Sequence, residues 1–182
     1  MTEVKITAAN ATTELKQLYE TAFPREEQIP WGDLMQLVEK MPLDFTAYYE
    51  GEGSKLMGFT IVYPRRSFNW FWYFAVPVPL RGKGVGQQIL SRLIERYKDS
   101  CNILDMESPL QQDCDNREQR RRRHRFYLRN GFRDTGVGRS FDGIDYTIMM
   151  MGNGTFTMQD YDNIITELRS FWSQMPGAEK QD

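Results

Sequence analysis

Two rhythms of apolar residues divide this chain. Val4–Thr7, Phe45–Tyr49 and Lys55–Tyr63 read as strands, the last two flanking Glu50-Gly51-Glu52-Gly53-Ser54 as a hairpin. Trp70-Phe71-Trp72-Tyr73-Phe74-Ala75-Val76 is apolar throughout and predicts a buried strand. Asn102–Glu107, Arg133–Ser140 and Ile144–Met151 complete the set. Leu15, Leu18, Tyr19 and Ala22 instead share one helical face, capped by Thr12 or Thr13 and ended by Pro24. Asp33–Lys40 predicts a second short helix. Val85, Ile89, Leu93 and Tyr97, with Leu90 and Ile94 beside them, predict a third. A fourth opens at Asp115-x-x-Glu118, which resembles a capping box, and stops at Asn130-Gly131. Thr157–Met175 carries one wide apolar face, and the tail from Pro176 is polar.

The order is strand, two helices, three strands, helix, strand, helix, two strands, then a last helix. Between the aromatic strand and the third helix lies Arg81-Gly82-Lys83-Gly84-Val85-Gly86. Glycine lets a backbone approach a ligand closely, and the first N–H groups of a helix lack internal partners. The helix dipole adds partial positive charge there, so the turn suits a phosphate. Taken alone, it could also be a tight connection without a ligand. It is not a Walker loop, because Gly82-Lys83 is followed by Gly84 and no Ser or Thr occurs before Ser91. Nor is it a dinucleotide fingerprint, because Gln87 stands where the third glycine belongs.

The remaining pattern, Arg-x-x-Gly-x-Gly after a strand, resembles the GNAT superfamily of acetyl-CoA-dependent N-acetyltransferases. Two further stretches support the resemblance. Phe74-Ala75-Val76-Pro77-Val78-Pro79-Leu80 matches the family's strand ending, proline bend and Arg-Gly start. Arg125-Phe126-Tyr127-Leu128-Arg129-Asn130-Gly131-Phe132 matches its Phe-Tyr-x-x-x-Gly-Phe hallmark. The resemblance spans roughly residues 3 to 151. It implies an α/β (α+β) fold: one mixed, mostly antiparallel sheet of about seven strands, with helices on both faces. The fourth and fifth strands would splay around the cofactor. Residues 1–152 would form the transferase domain, and 153–182 an extra C-terminal helix and tail.

The resemblance also implies roles. Backbone N–H groups of Arg81, Gly82, Lys83, Gly84, Val85, Gly86 and Gln87 would hold the pyrophosphate of coenzyme A. Tyr127 would protonate the departing sulfur, for which a phenol of pKa near 10 is a competent donor. An N–H near the strand end would bind the oxyanion. Pro77 and Pro79 have none, which leaves Val76, Val78 and Leu80. An asparagine that many members carry seven residues before the tyrosine is Arg120 here, so Asn116 is carried over in its place. For the base, Glu107 is the candidate, with Asp105 on the same strand face. Glu26 and Glu27, in the loop from Pro24 to Trp31, lie where relatives contact the acceptor, and Trp31 is counted with them. A water relay without a single base is the alternative.

Composition narrows the classes. The chain has 182 residues, a length suited to one domain, with 40% hydrophobic and 26% charged residues. No apolar run approaches the ~20 residues of a membrane span, and the N-terminus carries no secretory pattern. Cys101 and Cys114 make no disulfide framework, metal spacing or nucleophile setting, so a reducing, cytoplasmic setting is expected. The formal charge of −2 gives no general reason for nucleic-acid binding. The run Arg120-Arg121-Arg122-Arg123-His124-Arg125 winds around its helix. It reads as a solvated helix start, with cofactor phosphate next and nucleic acid third, and His124 reads as a surface residue.

The expected function is transfer of an acetyl group from acetyl-CoA to a primary amine, with no metal and no membrane partner. The alternatives are a non-catalytic acyl-CoA-binding module and a protein N-terminal or lysine acetyltransferase. The last helix must be covered by its own sheet or by a second subunit in a homodimer.

Overall fold

The computed structural model describes residues 1–51 and 55–174. Residues 52–54, within the expected hairpin turn, and the segment from 175 onward, with its expected polar tail, lie outside them. The elements run β1 (Thr2–Lys5), α1 (Thr13–Ala22), α2 (Trp31–Lys40), β2 (Asp44–Glu50), β3 (Lys55–Tyr63) and β4 (Asn69–Ala75). They continue α3 (Val85–Arg96), β5 (Asn102–Glu107), α4 (Arg117–Arg129), β6 (Arg133–Phe141), β7 (Ile144–Met151) and α5 (Met158–Ser173). One seven-stranded sheet has the order β1-β2-β3-β4-β5-β7-β6. All neighbours are antiparallel except β4 and β5.

Strand alternation sends side chains to two faces. On one face Phe45, Phe59, Ile61, Tyr73, Ile103 and Ile148 meet α1, α2 and α5 through Leu15, Leu34, Leu37 and Ile164. On the other, Val62, Phe71, Leu104, Met106 and Met149 meet α3 and α4 through Leu90, Leu93 and Tyr127. The apolar face of α5 is thus covered by its own sheet. Glu167 ties it further to Tyr63 and Arg65.

The β4–β5 pair positions the site. Pairing stops after Asn69↔Asn102 and Trp70↔Ile103, although both strands run on to Ala75 and Glu107. A gap opens between them. On its other edge β4 carries a bulge: Ile61 pairs with Tyr73 and Val62 with Phe71, so Trp72 faces no partner. The extra residue turns consecutive side chains to one face. Trp70, Trp72 and Tyr73 accordingly stack at 4.8 and 5.2 Å on the α1/α2 side. Gly58 lets β3 pass close to β4 and α3, since a Cβ there would lie 2.5 Å from Ala75 O and 2.8 Å from Ile89 Cδ1.

Several boundaries differ from expectation. β1 begins at Thr2, and only the backbone N–H of Ile6 continues its pairing, to Phe45. α2 begins at Trp31, because that ring packs on Tyr19 and Phe45 and joins the core instead of the loop. No capping box opens α4. Its N-cap is Asn116, whose side chain is drawn instead to Glu107 and Arg120. α5 does have a capping box, between Thr157 and Asp160.

Candidate active site

The glycine turn lies at the α3 side of the gap. Gly82 and Gly84 have φ of 76° and 81°, values a side chain resists, and a Cβ on either would enter open space. Gly86 sits against Phe74 and Val76. Within the turn, Arg81 and Lys83 donate to Val78 O and Leu80 O, and Gln88 to Gly84 O. Among the described residues, the N–H groups of Gly82, Gly84, Val85, Gly86 and Gln87 have no partner. Five free donors at a helix start, with room in front of them, fit a pyrophosphate. The Gln87 side chain is turned away and pairs with Asn130 at the end of α4.

Three expected oxyanion donors reduce to two. Leu80 N donates to Pro77 O at 2.9 Å, whereas the N–H groups of Val76 and Val78 have no partner among the described residues. Val78 is 69% exposed.

Tyr127 is buried between Phe126 and Phe132, and its hydroxyl makes no hydrogen bond to a described residue. Burial raises its pKa, so the phenol stays protonated at neutral pH. Phe126 is the less buried of the two. Arg123 and Asp105 act electrostatically on Tyr127 and also on Glu27.

Glu27 belongs to a pinned loop. Tyr19 Oη accepts from Ile29 N at 2.8 Å, and Tyr73 Oη donates to Glu27 O at 2.6 Å. Gln28 Nε2 closes back on Phe23 O and Glu20 O. The Glu27 carboxylate takes one side-chain hydrogen bond, from Tyr146 Oη at 2.8 Å. Burial lifts its pKa above the usual glutamate value, and the Tyr146 bond partly opposes that. Glu26 beside it is exposed.

Glu107 is placed differently. It is 5% exposed, with Arg120 Nη2 at 2.8 Å and Arg123 Nη1 at 3.4 Å. Asn116 Nδ2 donates to both of its oxygens, at 3.0 and 3.2 Å. Arg120 Nε donates back to Asn116 Oδ1 at 2.6 Å. Asn116 therefore spends its side chain on this network, and Arg120, 4% exposed, is no solvated helix start. A buried carboxylate needed a counter-ion, and the first turn of α4 supplied it. His124 is half-buried and bonded to Asp134.

Asp105, Tyr146, Arg139 and Tyr161 complete the wall on the α5 side. Asp105 accepts from Trp70 Nε1 at 2.9 Å and Arg139 Nη2 at 3.2 Å. Sequence reasoning missed Tyr146, Arg139 and Tyr161. Only the alternation within Arg133–Phe141 and Ile144–Met151 could have placed the first two on the Asp105 face.

A seven-stranded sheet that parts beside a glycine turn and a helix start with free N–H groups is the arrangement of an acyltransferase. Residues 44–134, half of the chain, match the family model described as the acetyltransferase (GNAT) domain, and the chain belongs to that family. Its fold is similar to that of a Bacteroides thetaiotaomicron protein assigned to the GNAT acetyltransferases, with TM-score 0.71, 22% identity, and coverage of 93% of this chain and 97% of that one. An aminoglycoside 6'-N-acetyltransferase complexed with coenzyme A aligns with TM-score 0.60 at 18% identity, over 82% of this chain and 96% of that one. An acyl-CoA N-acyltransferase from Pseudomonas aeruginosa aligns with TM-score 0.58 at 17% identity, over 83% and 99%. At these identities the likeness concerns the fold. The comparison with curated proteins gives no match. Among the described residues, no helix is long and apolar enough to cross a membrane.

Proposed function

We propose that this enzyme transfers an acetyl group from acetyl-CoA to a primary amine by direct attack, with both substrates bound together. One observation carries the reading: β4 and β5 stop pairing after Trp70↔Ile103, and β4 leads into the free N–H groups of Gly82, Gly84, Val85, Gly86 and Gln87. Bound acetyl-CoA supplies an activated acyl thioester. The cradle residues hold its pyrophosphate, and the N–H groups of Val76 and Val78 stabilise the carbonyl oxygen as charge develops there. Tyr127 gives its proton to the departing sulfur as the C–S bond breaks and the C–N bond forms.

An alkylammonium has a pKa of about 10.4 and must lose a proton before attack. We assign that proton to Glu27 and not to Glu107. Glu27 is only lightly hydrogen-bonded and has a raised pKa, while Glu107 is held by two arginines and an asparagine. The 23–30 loop that carries Glu27 is pinned by Tyr19 and Tyr73, which favours a small amine over a protein substrate. A cytoplasmic setting suits the two free thiols, Cys101 and Cys114.

Thiol release from acetyl-CoA, measured against a panel of polyamines, amino acids, aminoglycosides and peptides, tests this. Turnover with at least one acceptor should fall about 10²- to 10⁴-fold in Tyr127→Phe. Unchanged turnover in that variant would remove the tyrosine from the reaction. Coenzyme A binding without turnover on any amine would favour a binding module.

A further inference from the structure

Arg139 and Tyr161 are left over by the mechanism above. Arg139 stands on β6 opposite Tyr146 on β7. Its guanidinium lies between two rings, 4.5 Å from the Tyr146 centroid and 5.2 Å from that of Tyr161. An arginine carries five N–H donors in a planar fork. Here Nη2 donates to Asp105 at 3.2 Å, Nε is buried without a partner, and Nη1 has none among the described residues. Tyr161, 5% exposed, buries a hydroxyl that likewise has no partner among the described residues. Buried donors without partners are rare and costly. Two of them, on touching side chains in the wall of the acceptor site, lack an acceptor.

We propose that Arg139 and Tyr161 form the subsite for a carboxylate on the acceptor, so that the substrate amine is a small amino acid. This rests on the acyl-transfer reading. A planar carboxylate matches the guanidinium fork better than a lone hydroxyl or amide does. Tyr146 sets the spacing of the two charged ends: its ring lies under Arg139, and its hydroxyl donates to Glu27 at 2.8 Å. The ammonium therefore meets Glu27 at the hydroxyl end of Tyr146, and the carboxylate meets Arg139 over its ring. The wall already balances Glu27, Asp105 and Glu107 against Arg120, Arg123 and Arg139. A zwitterion keeps that balance in a partly desolvated site, whereas a simple cation or anion upsets it.

Two measurements test the subsite. The first compares kcat/KM for the free amino acids and for their C-terminal amides, which keep the amine and lose the carboxylate. The free acid of the best acceptor should win by at least about tenfold, the scale of one charge-assisted hydrogen bond. That ratio should collapse toward one in Arg139→Gln. The second measurement needs no turnover: calorimetry of N-acetyl amino acids and their amides binding in the presence of coenzyme A. Binding of an acid but not its amide, weakened at least about tenfold by Arg139→Gln, supports the subsite even if the acyl-transfer reading fails. Because Arg139→Gln also breaks the Asp105 pair, Tyr161→Phe is the second variant. It deletes a hydroxyl without a partner among the described residues, so its Tm should hold or rise while acid binding weakens several-fold. Amides used or bound as well as acids, or an acid preference untouched in both variants, overturns the proposal and leaves the transferase reading standing.

Discussion

Exchanging each of two glutamates for glutamine should give opposite outcomes. In Glu107→Gln the side chain keeps its shape but loses its charge. Arg120, 4% exposed, is then left without a buried counter-ion, while Arg123, with 35% of its side chain exposed, can turn to water. Removing one partner of a buried ion pair costs about 3–5 kcal/mol. Taking the lower end, since Asn116 and the glutamine oxygen still bond Arg120, the loss is about 3 kcal/mol. In a chain of this size that lowers Tm by about 6–12 °C. Glu27→Gln behaves the other way. Its carboxyl has a raised pKa in the folded protein, so its charged form is disfavoured by folding and subtracts from stability above that pKa. At pH 7 to 8 the variant should therefore hold or gain Tm, with no gain at pH 4, where both states are protonated. Turnover should fall about 10²- to 10⁴-fold, and the acid limb of kcat/KM, set above the ordinary glutamate range in the parent, should disappear. Differential scanning calorimetry and thiol-release kinetics at 15 °C, where both variants are folded, separate the effects. The reasoning fails if Glu107→Gln keeps its Tm and loses the acid limb. It fails also if Glu27→Gln keeps full activity. Adding Arg120→Met to Glu107→Gln should recover much of the lost Tm, because an apolar replacement of both charges leaves neither uncompensated.

Three further outcomes follow from local geometry. Tyr146→Phe removes the hydrogen bond that lowers the Glu27 pKa, so the acid limb of kcat/KM should move to higher pH; an unmoved limb would separate Glu27 from catalysis. Gly84→Ala places a side chain at a φ of 81°, costing about 1–2 kcal/mol, and projects a methyl into the open space before the cradle. Calorimetric affinity for coenzyme A should fall at least about tenfold, while Gly32→Ala, on a helix with nothing near its Cβ, should leave it intact. Gly58→Ala forces a Cβ to within 2.5 Å of Ala75 O and should cost about 1–3 kcal/mol, read from the urea midpoint.

The legible and illegible parts of this molecule divide along sequence distance. The local structure of the expected cradle could be read because it is contiguous: a strand, two glycines held at positive φ and a helix start occupy residues 70–96 without a break. Element order was equally readable, since a period of two or of 3.6 is local. The acceptor side was not. Glu107 looked available because nothing within its own strand announces a counter-ion; Arg120 lies thirteen residues on, and only the packing of α4 against the end of β5 makes the pair. The same packing explains the basic run. Of four consecutive arginines, two turn inward to a buried carboxylate, a choice made by helix phase and invisible in a charge count. Trp31 was misplaced for the converse reason: proline and charge around it mark a loop, but two aromatic partners, one from α1 and one from β2, supply a core that no local signal contains. The bulge at Trp72 likewise arises from pairing with β3, and it brings Tyr73 onto the face where it can hold Glu27 by its carbonyl. The proposed phosphate end of the site is thus written in one segment, while the proposed acceptor end is assembled from five. A change of acceptor preference in this protein should accordingly arise from positions far apart in the chain: 27, 105, 139, 146 and 161. The cradle can stay as it is.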